Sequence, residues 1–213
     1  MIFDPPIDLI VLSLGLAIIP VACVLVTSFT KIAIVFALLK NAIGIQQVPS
    51  GLVTNALALV VTAYIMAPVA LEASANMQQR STGQQTKGEW LLTSMAQPLS
   101  RFMLKHVDPK EQERLLATSE RIWPKEVFAK ATRDDFFILV PAFAISEITS
   151  AFKIGFILYL AFVAVDLIVA NILMAMGMIM FSPTVVSIPL KVILFVAADG
   201  WSRLIQSLIL SYQ

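Results

Sequence analysis

The chain has 213 residues, of which 58% are hydrophobic and 14% charged, against about 45–50% apolar and about 25% charged in a soluble domain. With a mean hydropathy of +0.85 this is the composition of a membrane protein. A net charge of +1 excludes nucleic-acid binding, which needs a clustered basic face. Cys23 is the single cysteine, so neither a disulfide framework nor a cysteine metal cluster can be built within one chain, and it reads as a small buried filler.

The N-terminus, MIFDPPIDLIVL, carries acids and prolines where a secretory signal would carry basic residues, which predicts that nothing is removed. From Leu9 to Leu39 the only charge is Lys31, enough for a spanning helix of about 20 residues with turns to spare. Asp8 is placed to cap it, and Pro20 predicts a kink or break near residues 16–20. A polar turn, Lys40 to Gly51, leads into the uncharged run Leu52–Leu71, which contains Pro68. Residues 1–71 therefore read as an N-terminal apolar helical hairpin. Lys31 and Lys40 flank its turn while Asp4 and Asp8 mark the N-terminus, so the positive-inside rule places the turn in the cytoplasm and the next segment outside.

Residues 72–134 form a polar insert with most of the charges and the only histidine, His106. The stretch QQRSTGQQTKG within it reads as a flexible loop. Asp108, Pro109 and Glu111 are a helix start signal, predicting a short amphipathic helix over about 109–121 with Leu115, Leu116 and Ile122 toward one side. Thr132 and Asp135 make a second capping pair.

Residues 135–213 read as a C-terminal helical hairpin with a pore loop, broken by Pro141, Pro183 and Pro189 and turning between Gly177 and Pro189. Hydropathy alone gives about four spans, so the fold class is all-α, membrane-associated helical hairpins with kinked or broken helices. Glu147, Lys153, Asp166, Lys191, Asp199 and Arg203 punctuate this apolar half. Charges in hydrocarbon are costly unless paired or facing water, so these helices should face other subunits or a conduit.

Asp166 and Lys191 are equally far from the midpoint between Met178 and Ile179. A reversal there brings acid and base together at matching depth, each relieving the other's desolvation; a reversal nearer Pro183 leaves Lys191 to find a partner on a neighbouring subunit. Met174, Met176, Met178 and Met180 recur at every second residue. On a helix they form two ridges about 160° apart; in an extended loop they point one way, and Gly177, Ser182 and Pro183 favour a break close by. They read as core filling or as a flexible gasket. Glu147, Lys153, Asp199 and Arg203 are candidate inter-subunit or rim contacts, and a solvated face explains each as well.

Enzyme chemistry finds little support. An Asp166–Asp199 protease dyad would need glycine-flanked aspartates, and Asp199 lies in AADGW, while Lys191 offers Asp166 a simpler partner. His106 has no second histidine with which to hold a catalytic zinc, and no glycine-rich phosphate loop is present. No catalytic residue, metal or cofactor is expected.

The runs TSFTKIAIVFALLKNAIG (27–44), ALALVVTAYIMAP (56–68), AFKIGF (151–156), DLIVANILMAMGMIM (166–180) and IPLKVILFVAADGW (188–201) resemble the R-subunit family of the type III secretion export apparatus. That family includes the flagellar P-subunit of the export gate and its counterparts in virulence injectisomes. The resemblance implies a bacterial inner-membrane component that assembles, in several copies and with two other small hydrophobic subunits, into the entry channel for unfolded export substrates, much of it on the periplasmic side. It assigns Met176, Met178 and Met180 to a pore seal and leaves Met174 on a helix. The absence of a signal-like N-terminus points to the injectisome branch, and where flagellar members commonly show three consecutive methionines this chain has Met178, Ile179 and Met180, a departure at the centre of the seal. The competing class is a small-solute or ion transporter with broken helices and midplane charges, which the unequal charge of the two apolar halves disfavours.

Overall fold

The computed structural model describes residues 23–45, 49–78, 87–178 and 180–213, together with Ser13 and Ala17. Among these residues every regular element is a helix: α1 (Phe29–Ile43), α2 (Gly51–Gln78), α3 (Lys87–His106), α4 (Pro109–Ile122), α5 (Lys125–Phe128), α6 (Phe136–Ala175), α7 (Pro183–Ala197) and α8 (Gly200–Leu210). The fold is all-α. The expected cap at Asp8, the break near Pro20 and most of the QQRSTGQQTKG stretch lie outside the described residues; its last two residues, Lys87 and Gly88, already belong to α3.

Several expectations from the apolar pattern are corrected. The first apolar run is not one helix, because a helical segment at 23–26 stops at Thr27–Ser28 before α1 begins. Hydroxyls hold the break: Thr27 Oγ1 donates to the Cys23 carbonyl and Thr30 Oγ1 to that of Val24, each at 2.7 Å. Side chains that bond nearby carbonyls offer the backbone an alternative to the helical ladder. Cys23 is exposed, not buried. Pro141 and Pro189 lie inside α6 and α7 without ending them, and Pro68 lies inside α2. Each forfeits one bond to the carbonyl four residues back, which the rest of the helix tolerates.

The chain divides into two compact units, Met1–Thr30 with Met66–Glu147, and Lys31–Ile65 with Ile148–Gln213. In the first, Phe102, Met103, Val107, Ile138, Leu139, Ala142 and Phe143 are buried, and the Phe102 and Phe143 rings meet edge-on at 5.9 Å. The backbone N–H of Asp108 donates to Ser146 Oγ at 3.0 Å. Asp108 caps α4 by accepting from the Lys110 N–H, with Pro109 at the first position. The buried positions of α4 are Gln112 and Ser119, with Leu115 and Leu116 half-buried between them. Ile122, at 72% exposure, is not on that side. At the start of α6 the Asp135 carboxylate accepts from the backbone N–H and hydroxyl of Thr132.

In the second unit, Ile32, Val35, Phe36 and Leu39 of α1 are buried, as are Ala151, Leu204, Leu208 and Tyr212. Trp201 meets Phe36 at 5.8 Å and Phe195 at 5.5 Å, both edge-on, the arrangement the ring quadrupoles favour. Between α7 and α8 the axis turns by 62° at Asp199, a non-glycine residue in the left-handed region (φ 52°, ψ 39°).

Among the described residues two helices, α2 and α6, are long and apolar enough to cross a membrane, or three spans if the bent α7–α8 pair counts as one. At 1.5 Å per residue the 40 residues of α6 rise about 60 Å, twice the hydrocarbon core of a bilayer.

In the second unit α6 comes close to α1 at Gly155, where a Cβ would stand 2.2 Å from Leu38 Cδ1 and 3.0 Å from Leu38 Cβ. Gly155→Ala is therefore expected to destabilise the protein by about 1–3 kcal/mol through overpacking, and Leu38→Ala in the same chain should recover part of it. Thermal melts of both variants in detergent check this; an unaltered Gly155→Ala melt would show that the helices are free to separate.

Candidate functional site

The two arms of the C-terminal hairpin join at residues 176–182, between the end of α6 and the start of α7. Gly177 ends α6 in the left-handed region, φ +74°. The Met178 N–H bonds the Leu173 carbonyl at 2.9 Å and the Gly177 N–H bonds that of Met174 at 3.0 Å. This is a Schellman turn, which satisfies two of the carbonyls a helix end leaves open. Ser182 precedes α7 and Pro183 opens it, at a position where a missing N–H costs nothing. A helix-ending glycine and a helix-starting proline thus set the limits of the loop, and its centre falls close to the midpoint between Asp166 and Lys191.

Met174 is on α6, at 59% exposure; Met176 and Met180 are 66% and 99% exposed, and Met178 is half-buried. Ile179 lies outside the described residues. Within one chain these methionines do not fill a core.

The structure brings Asp166 and Lys191 together. Lys191 Nζ lies 2.5 Å from Asp166 Oδ2, and the Lys191 residue is only 4% exposed, whereas the Asp166 side chain is 37% exposed. Lys191 Nζ also donates to the carbonyl of Ala42 at 3.1 Å. That carbonyl is available because α1 ends at Ile43 in a second Schellman turn. Gly44 has φ +89°, its N–H reaches the Asn41 carbonyl, and the Ile45 N–H reaches that of Lys40. Among the described residues the Ala42 carbonyl has no such backbone partner, and at the negative end of α1 it meets the ammonium in a favourable charge–dipole contact. Lys191 therefore ties the end of α1 to both arms of the C-terminal hairpin.

Asp166 Oδ2 is taken by Lys191, while Asp166 Oδ1 is enclosed and has no hydrogen-bond partner among the described residues. Ser187, one turn before Lys191 on α7 and 0% exposed, faces the same carboxylate. Its hydroxyl donates to the Thr184 carbonyl at 3.5 Å, the limit of a useful bond.

The other four predicted residues are not gathered with this cluster. Lys153, Asp199 and Arg203 are exposed. Asp199 is the N-cap of α8 without a side-chain cap bond. Glu147 differs, being 2% exposed, and so offers no rim surface to a neighbour. Lys31, read from the sequence only as a topological charge, is 5% exposed with its ammonium 3.9 Å from the centre of the Tyr212 ring. Ser187 and the Ala42 carbonyl were not anticipated either. Two signals could have found them: Ser187 and Lys191 are four residues apart and share a helix face, and Gly44 after an apolar helical run marks a helix end with open carbonyls.

Residues 11–208 match the FliP family. The chain is 47% identical over 207 residues to the "Pathogenicity-related ORF2" protein of Xanthomonas campestris pv. glycines, covering 96% of both chains. It is 43% identical to the "Hypersensitivity response secretion protein HrcR" of Ralstonia nicotianae, covering 97% of both. It is 41% identical to the "Yop proteins translocation protein R" of Yersinia pestis, covering 96% of this chain and 94% of that protein. With a match this long and relatives named for secretion, translocation and pathogenicity, the chain belongs to the FliP family, on its virulence-secretion branch.

Proposed function

We propose that the chain is a core subunit of the type III protein secretion export gate. Several copies, with two other small hydrophobic subunits, form the entry channel for unfolded polypeptides across the bacterial inner membrane. Much of the assembly, including the polar insert 72–134, stands on the periplasmic side. The chain performs no chemistry; it forms a gated passage. Relatives named for secretion and translocation support this over a small-solute transporter.

The observation that carries the reading is the methionine loop. Met176 and Met180 are exposed in the link between the end of α6 at Ala175 and the helix start at Pro183, and the arms behind them are joined by a part-buried charge pair. Thioethers are flexible and polarizable. A ring of such loops closes a pore against ions and repacks around a passing chain of any sequence. The surface of α6 supports assembly with other chains. Phe152, Phe156, Ile157 and Leu160 are exposed on the helix that also exposes Lys153, a mixture that suits a protein neighbour and is costly against lipid. Lys153, Asp199 and Arg203 are then contacts at subunit boundaries.

Replacing Met176, Met178 and Met180 with alanine should leave assembly intact and raise ion conductance in membranes. A conductance equal to that of the parent protein would remove the seal role. For the charge pair the asymmetry of burial fixes the order of severity. Asp166→Ala strands a buried ammonium and should impair assembly most, by about 3–5 kcal/mol, whereas Lys191→Met leaves a carboxylate that is already part-exposed. The double variant should assemble better than Asp166→Ala alone. Complex yield after mild detergent extraction measures this, and equal yields from Asp166→Ala and the double variant would dissolve the pairing.

A further inference from the structure

The Asp166–Lys191 pair is short of one donor. Although the Asp166 side chain as a whole is part-exposed, an individual carboxylate oxygen shut off from solvent needs a partner, and an unsatisfied buried acceptor carries the full desolvation penalty. Asp166 Oδ1 is enclosed without a partner among the described residues, while Lys191 divides its protons between Asp166 Oδ2 and the Ala42 carbonyl. The hydroxyl of Ser187 is fully buried beside this carboxylate, and its bond to the Thr184 carbonyl is 3.5 Å long. A hydroxyl rotates about χ1 at little cost, and a charge-assisted bond is about twice as strong as a neutral one.

We propose that Ser187 is a positioning residue for the methionine loop: its hydroxyl turns from the Thr184 carbonyl to Asp166 Oδ1 and supplies the second donor of the buried pair. Ser187 and Lys191 then grip one carboxylate from adjacent turns of α7, which fixes the rotation of α7 against α6 and with it the register of residues 176–182. The exchange joins the loop end of α7, at Thr184, to the charge pair one turn farther along. This rests on the seal reading of the methionines.

The test compares threonine and valine at position 187, because the two are nearly the same shape and differ in the hydroxyl, so any packing strain in the buried site cancels. The complex is purified from membranes in mild detergent with its co-assembled subunits. Its thermal melt reports the hydrogen bond, and its ion leak in liposomes reports the seal. Ser187→Thr should resemble the parent in both. Ser187→Val should melt lower, with a folded-to-unfolded ratio reduced about tenfold or more, and should leak several-fold more. In an Asp166→Asn background the gap between threonine and valine should shrink by about half.

Equal melts for threonine and valine would overturn the proposal. A gap left undiminished by Asp166→Asn would place the hydroxyl permanently on the Thr184 carbonyl and overturn it equally. A melt gap that shrinks as expected without any leak would uphold the Ser187–Asp166 bond and reject the seal, so the two readings fail separately. Should Ser187→Val not assemble, Ser187→Ala provides the hydroxyl-free arm, with Ser187→Thr still the control.

Discussion

A lysine ammonium withdrawn almost wholly from solvent is the constraint around which the second unit is organised. Lys191 is 4% exposed, and moving an ammonium out of water without compensation costs several kcal/mol even after relaxation. The compensation comes from two elements far apart in sequence: the Asp166 carboxylate on α6 and the Ala42 carbonyl at the end of α1. Neither can drift without leaving the charge bare. The pair therefore acts less as a source of net stability than as a specification of register, because a one-turn slip of α7 against α6 would carry the ammonium about 5.4 Å from its partner.

The loop inherits that register. Its ends are set by local chemistry, Gly177 in the left-handed region and Pro183 at the first position of α7, and both act whatever the rest of the chain does. Local chemistry sets where the loop begins and ends, while the buried pair sets how its two ends stand against each other. Methionine is suited to the space between. Rigid β-branched side chains would lack shape tolerance there, whereas three rotatable bonds let a thioether conform to varied neighbours. On the proposed seal reading, a stiff frame with soft contents is the physical form that a gate for polypeptides of unrelated sequence would take.

What the sequence disclosed depended on whether the signal was local or symmetric. Asp108, Pro109 and Glu111 announce α4 because a cap needs only its neighbours. Asp166 and Lys191 could be matched because antiparallel arms convert equal spacing from a turn into equal depth. The stop at Thr27–Ser28 was hidden, since the apolar run continues through it and the hydroxyls that hold it are ordinary helix residues elsewhere. Pro141 and Pro189 were over-read as breaks, because a long helix absorbs the loss of one bond. The 62° turn at Asp199 has a weak signal, an aspartate that tolerates the left-handed region, and Glu147 gave no sign of being buried. Ser187 could have been linked to Lys191 by spacing alone, but serine in an apolar helix is common, and only its proximity to an enclosed carboxylate gives it meaning.

The same reasoning bears on what surrounds the protein. A 40-residue helix rises about twice the thickness of a hydrocarbon core, and it carries Lys153 among exposed phenylalanines. Were lipid its only neighbour, the bilayer would have to thicken or the helix tilt steeply, and the exposed ammonium would still lie against acyl chains. A protein neighbour removes both problems, since it can offer apolar contact along the whole length and a carboxylate or carbonyl wherever a charge falls. In lipid, apolar surface alone gives helices little reason to associate, because the tails are as apolar as the side chains. Ionisable groups spaced along oily helices therefore do what hydrophobicity cannot do there: they determine which surfaces meet, and at what register.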